Sequence, residues 1–112
     1  MSGSSSSELP VLYLTTVGRK SGLPRQIEIW FVTHGGRYYL FAEHFRRAQW
    51  VQNIECNPRV QVRLGGIERQ ATARILDETA DAELWKVVQE KGRSKYGWGD
   101  GLPVELTPDT PF

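Results

Sequence analysis

The sequence predicts a mainly β (α+β) fold: a small six-stranded barrel, closed or nearly closed, with about two helices. Three observations predict it. Six short runs rich in strand formers are spread along the chain. Glycine pairs at Gly35-Gly36 and Gly65-Gly66 join neighbouring runs as hairpins. Helical spacing occurs in only two places, so there is no βαβαβ alternation and a parallel sheet is disfavoured.

Residues 11–16, Val-Leu-Tyr-Leu-Thr-Thr, form the first strand, without clear alternation and hence covered on both faces. Residues 25–33 form the second, with Ile27, Ile29 and Phe31 pointing one way and Glu28, Trp30 and Val32 the other. His34-Gly35-Gly36 turns the chain into a third strand at residues 37–42. From Ala48 to Cys56 the spacing is helical, with Trp50, Val51 and Ile54 on one face and Asn57-Pro58 as the stop. Residues 59–64 alternate with Val60, Val62 and Leu64 inward, and residues 67–76 return as a longer strand. A helix follows from Thr79 to Lys91, with Ala80, Leu84, Val87 and Val88 as its apolar stripe and Gly92 as its end. The glycine-rich stretch 94–101 then reads as a loop, and residues 103–107 as the last strand.

A chain of 112 residues supports one domain with a modest core. Residues 10–112 are assigned to it, and the serine-rich residues 1–9 to a disordered tail. No apolar run reaches the roughly 20 residues needed to span a membrane, and no signal peptide is evident, so a cytoplasmic location is expected. Cys56 is the single cysteine, which excludes an internal disulfide; in a helix it is expected to be a small buried hydrophobe. His34 and His44 have no ligand spacing, so no metal is expected. Net charge is +1, yet residues 17–47 carry Arg19, Lys20, Arg25, Arg37, Arg46 and Arg47 against only Glu28 and Glu43. Such a local field suits a small anionic ligand better than a nucleic acid.

The stretch Thr15 to Arg25 packs three cations, two glycines and three hydroxyls between two strands. One reading is a solvated hairpin turn. The other is an anion-binding loop, whose backbone N–H groups approach a ligand while Arg and Lys supply charge. It is not a phosphate-binding P-loop, because the glycine spacing differs and a strand rather than a helix follows.

Four pieces carry a family resemblance: Leu14-Thr15-Thr16-Val17-Gly18-Arg19-Lys20-Ser21-Gly22-Leu23-Pro24-Arg25; Trp50, Asn53 and Asn57-Pro58-Arg59-Val60; Ala71-Thr72-Ala73-Arg74; and Leu102-Pro103-Val104-Glu105-Leu106-Thr107-Pro108. In that order they resemble the deazaflavin-dependent nitroreductase family, over about residues 12–108. The resemblance implies a split β-barrel of the FMN-binding type. It also implies an oxidoreductase that transfers hydride from reduced coenzyme F-420, an 8-hydroxy-5-deazaflavin, to a small organic acceptor such as a quinone or nitro-compound. The coenzyme's phosphate and acidic tail would lie against Arg19, Lys20, Ser21, Gly22, Leu23, Pro24 and Arg25. Tyr13, Leu14 and Thr15 would border the ring.

The segment after the first hairpin closes over the coenzyme in that family, which assigns Ala42, Glu43, His44, Arg46, Arg47 and Trp50 to the same site. Here it departs from the family's S-K-G-G-type sequence and is shorter, which keeps FMN as an alternative cofactor. Tyr96 and Trp98 match the position of the family's substrate-framing aromatics; the competing reading is core packing. His44 is either a proton donor to the acceptor or a wall residue. Two further readings remain open at this level: an FMN-binding reductase or flavin carrier, and a non-enzymatic ligand-binding barrel. No membrane partner is expected, and a homodimer is among the open oligomeric states.

Overall fold

The computed structural model describes residues 11–110, so the expected tail lies outside the described residues. Strands β1 (Val11–Val17), β2 (Pro24–His34) and β3 (Arg37–Ala42) come first. A 3-10 turn at Phe45–Arg47 leads into helix α1 (Gln49–Cys56). Then follow β4 (Arg59–Leu64), β5 (Ile67–Ile75), helix α2 (Ala82–Tyr96) and β6 (Leu102–Pro108). The six strands close a barrel in the order β1-β2-β3-β6-β5-β4, every pair antiparallel. Among the described residues no helix is long and apolar enough to cross a membrane.

Alternation fills the barrel. Leu12 and Leu14 of β1, Val60, Val62 and Leu64 of β4, and Val104 and Leu106 of β6 point inward and are buried. β3 does not alternate, and the structure shows why: both its faces are covered. Tyr38, Leu40 and Ala42 belong to the barrel interior, while Tyr39 and Phe41 pack under α2 with Val32, Leu76 and Val88. Both two-residue hairpin turns use glycine pairs with positive φ, as a twisted hairpin demands: Gly35 (61°) with Gly36 (80°), and Gly65 (60°) with Gly66 (82°).

Helix α2 departs from expectation at both ends. It starts later than Thr79, because the Asp77 carboxylate accepts the N–H groups of Thr79 and Ala80 (2.8 Å each) and holds a separate turn. Those two bonds, Ala80's first, hold the Asp77 carboxyl below the usual range. The helix also runs through Gly92 and stops only at Gly97. Gly92 is a contact point rather than a terminus: a Cβ there would meet the Phe41 ring at 2.9 Å. The inward stripe accordingly consists of the half-buried Leu84 and Trp85 and the buried Val88, whereas Ala80 and Val87 are exposed.

Beneath the start of α2, Glu105 of β6 is a buried carboxylate. It accepts from the Tyr39 hydroxyl (2.9 Å) and from Arg74 Nε (3.2 Å), and Arg74 reaches on to Asp81 (3.0 Å). Burial, reinforced by Glu105, pushes the Tyr39 hydroxyl up to about 12. This network ties three strands to the entry of α2, and its charges are paired as burial requires.

β2 pairs with β1 from Pro24 to Trp30, but with β3 only from Phe31 to His34. Along residues 24–30 the second edge of β2 therefore has no strand beside it among the described residues. The barrel is split there.

Candidate functional site

Two cavities lie along this open edge. The first, about 620 Å³, is walled by Arg19, Lys20, Ser21 and Arg25 of the β1–β2 loop and by Trp50 and Asn53 of α1. The second, about 670 Å³, is walled by Ile29 and Trp30 of β2, Phe41 of β3, His44, Trp50 and Trp98. Ile27 and Trp50 line both, so the two form one groove. Every residue from Pro24 to Trp30 contributes to its wall. The groove is graded. One end holds three cations and no carboxylate; the other is aromatic and aliphatic, with Glu28, Glu43 and His44 on its wall.

The cationic end is rigidly built. In the loop, Gly18 N–H donates to the Leu23 carbonyl and Gly22 N–H to the Gly18 carbonyl, each at 2.8 Å. Leu23 N–H donates to Ser21 Oγ (3.2 Å). Asn53, buried in the middle of α1, accepts from both the backbone N–H (3.1 Å) and Nη1 (3.0 Å) of Arg19. Its amide nitrogen donates to Thr16 Oγ1 at 3.1 Å. Four loop N–H groups are thus committed inside the protein, so the loop offers an anion mainly its side-chain cations. Among the described residues no salt bridge engages Lys20 or Arg25.

At the apolar end, Trp30 is 43% exposed, although a tryptophan in mid-strand would ordinarily be covered. Its ring stacks on Tyr96 (centroids 4.5 Å apart, planes 1° apart) and meets Trp98 edge-on at 6.3 Å. Trp98 also meets Phe41 edge-on at 6.4 Å. The Tyr96 hydroxyl donates to the Phe31 carbonyl (2.8 Å) and accepts from the Phe31 N–H (3.1 Å). Burial raises the Tyr96 hydroxyl above the ordinary tyrosine value, partly opposed by its bond to Phe31.

Of the residues expected at the site, the fold brings Arg19, Lys20, Ser21, Pro24, Arg25 and Trp50 to the cationic cavity, and Glu43, His44, Trp50 and Trp98 to the aromatic one. Others lie elsewhere. Tyr13 and Thr15 face outward by strand alternation; Arg63 covers the Tyr13 ring at 4.8 Å and the Tyr13 hydroxyl donates to Glu28 (3.4 Å). Leu14 is sealed in the barrel interior. Gly22 and Leu23 form the exposed tip of the loop, and Ala42 is buried; none of the three lines either cavity.

Arg46 pairs with Glu55 of α1, and Arg47 likewise lines neither cavity. Tyr96 is not a loop residue at all: it ends α2, pinned to Phe31. The glycines around Trp98 serve close packing as well, since a Cβ on Gly99 would lie 2.4 Å from the Gln89 carbonyl. Cys56 is exposed rather than buried. Asn53 and Ile27 carry much of the groove without having been singled out for it, and Trp30, an aromatic on a strand that could stack on a ring or fill the core, joins them on its wall. Asn53 did carry a signal, a polar residue at the centre of a short apolar helix face.

The chain matches, over residues 2–105, the family model described as F420H(2)-dependent quinone reductase. Among curated proteins, F420H(2)-dependent quinone reductases of two Mycobacterium tuberculosis strains are 28% identical over 92 residues, or 78% of this chain. The match spans 62% of the length of those relatives. Among solved structures, one described as an F420-H2 dependent reductase superposes with TM-score 0.62 at 27% identity, covering 87% of this chain and 92% of that one. The heme storage protein HutZ of Vibrio cholerae superposes with TM-score 0.76 at 21% identity, covering 94% and 85%, which is a likeness of fold.

Proposed function

The chain belongs to the F420H(2)-dependent quinone reductase family, and from that premise we propose that it binds a reduced deazaflavin coenzyme in the split of its barrel and passes reducing equivalents to a flat acceptor such as a quinone. The observation that carries this reading is the graded groove: a cationic cavity and an aromatic cavity joined at Ile27 and Trp50. A coenzyme with a planar ring and an anionic tail has the same division. Arg19, Lys20 and Arg25 would hold phosphate and carboxylate groups by charge-assisted hydrogen bonds. The open edge of β2 offers unpaired backbone donors and acceptors to the polar rim of a ring.

When bound, the reduced deazaflavin supplies the hydride, so the protein's work is to bind, orient and exclude water. Trp30, Trp98 and Phe41 form apolar walls suited to a flat acceptor, and a dry wall strengthens every polar contact inside it. His44 lines the aromatic cavity, which supports it as the proton donor to the acceptor's oxygen. The Tyr96 hydroxyl is unsuited to that task, being committed to both polar groups of Phe31. Steady-state oxidation of reduced coenzyme F-420 by a soluble quinone tests the proposal. Turnover well above the rate without protein is expected; a rate equal to that background would overturn it.

A further inference from the structure

Asn53 joins two sequence motifs that lie far apart in the chain, and nothing in the proposed chemistry uses it. Its side chain is 4% exposed, and it lines the cationic cavity. All its hydrogen-bonding is directed at the strand and loop opposite. Oδ1 accepts from the Arg19 N–H and from Arg19 Nη1, and Nδ2 donates to Thr16, itself buried. Asparagine is a poor choice for the interior of a helix on propensity alone. Burying its amide costs free energy unless every bond is made. Here both polar atoms of the amide have partners, and two of the three bonds fix one residue, Arg19.

We propose that Asn53 is the positioning residue of the anion subsite: it holds the Arg19 backbone and guanidinium in register, so that the loop presents a preformed cationic surface. This rests on the coenzyme reading above. A free arginine side chain loses much rotamer entropy when it grips a ligand. Arg19 has lost part of it before binding, through the bond from Nη1 to Asn53. Its guanidinium carries five donors, so the rest of the fork remains for phosphate or carboxylate. Because Asn53 is neutral, it orients the charge without cancelling it. A carboxylate at the same place would orient Arg19 equally well and neutralise it.

Fluorescence titration of coenzyme F-420 into the wild type, Asn53→Ala, Arg19→Ala, the double variant and Asn53→Asp tests this. Asn53→Ala and Arg19→Ala should each weaken binding on the order of tenfold, and the double variant no more than the weaker single. Asn53→Asp keeps the side-chain shape and the acceptor oxygen. Its affinity should also fall, and the gap from wild type should narrow as salt rises. Wild-type affinity in Asn53→Asp would overturn the proposal, and that result decides even if Asn53→Ala fails to fold. So would losses for Asn53→Ala and Arg19→Ala that multiply as independent effects, while leaving the coenzyme reading intact. A wild-type protein that does not bind the coenzyme would overturn that reading and the inference with it.

Discussion

Phe45 holds a backbone conformation that L-residues avoid, with φ at 53°. Its side chain is 44% exposed, so packing does not compensate for the strain. The surroundings hold it there instead: Arg46 pairs with Glu55, and the Gln52 amide donates to the Arg46 and Arg47 carbonyls at 3.1 and 3.3 Å. The result is a tight 3-10 turn that sets His44 on the cavity wall. Replacing Phe45 with glycine should relieve the strain and raise stability by up to about 1 kcal/mol, less than the left-handed penalty because glycine has more freedom to lose on folding. Urea unfolding measures it, and a loss of stability would contradict the strained reading. No residue pattern announced this. A phenylalanine beside two arginines gives no hint of positive φ, whereas the cations Arg19, Lys20 and Arg25 stand out as three charges beside two glycines between two strands.

At the scale of elements, strands were easier to read than helix ends. Alternation in residues 59–64 and the glycine pairs at both hairpins act locally, so sequence spacing exposes them. The end of α2 is set by tertiary contact. Gly92 looks like a terminator, yet it lies inside the helix because the Phe41 ring and the Gly99 backbone approach it from β3 and the following loop. Tyr96, expected in the loop that follows, instead closes the helix and clamps Phe31. Gly92→Ala separates the two accounts. At a free helix position the change would add about 1 kcal/mol of stability through propensity. Here the new Cβ meets the ring at 2.9 Å and the Gly99 Cα at 3.1 Å, so the variant should lose about 1–3 kcal/mol in urea unfolding. A gain would show that the contact yields freely.

Across the whole molecule, the split in the barrel makes the site. It follows from where β2 leaves β3, a pairing between residues that no local pattern specifies. The six strands were therefore legible, and the groove between them was not. Tyr13 to Thr15 illustrates the difference: the motif resembles a ring-bordering segment, but alternation turns Tyr13 and Thr15 outward and seals Leu14 in the core. What the sequence did show was the uneven charge, and the fold concentrates part of it at one end of the groove through Arg19, Lys20 and Arg25.

In the proposed reading this end binds the anionic tail and the aromatic end binds the ring. The most direct test is fluorescence titration of the wild type and of a Lys20→Ala, Arg25→Ala double variant. The ligands are coenzyme F-420 and the same deazaflavin ring without its phosphate and acidic tail. The wild type should bind the full coenzyme at least about tenfold more tightly, the double variant should lose this advantage, and both proteins should bind the tailless ring alike. Equal affinity of the wild type for the two ligands would show that the cations do not read the tail.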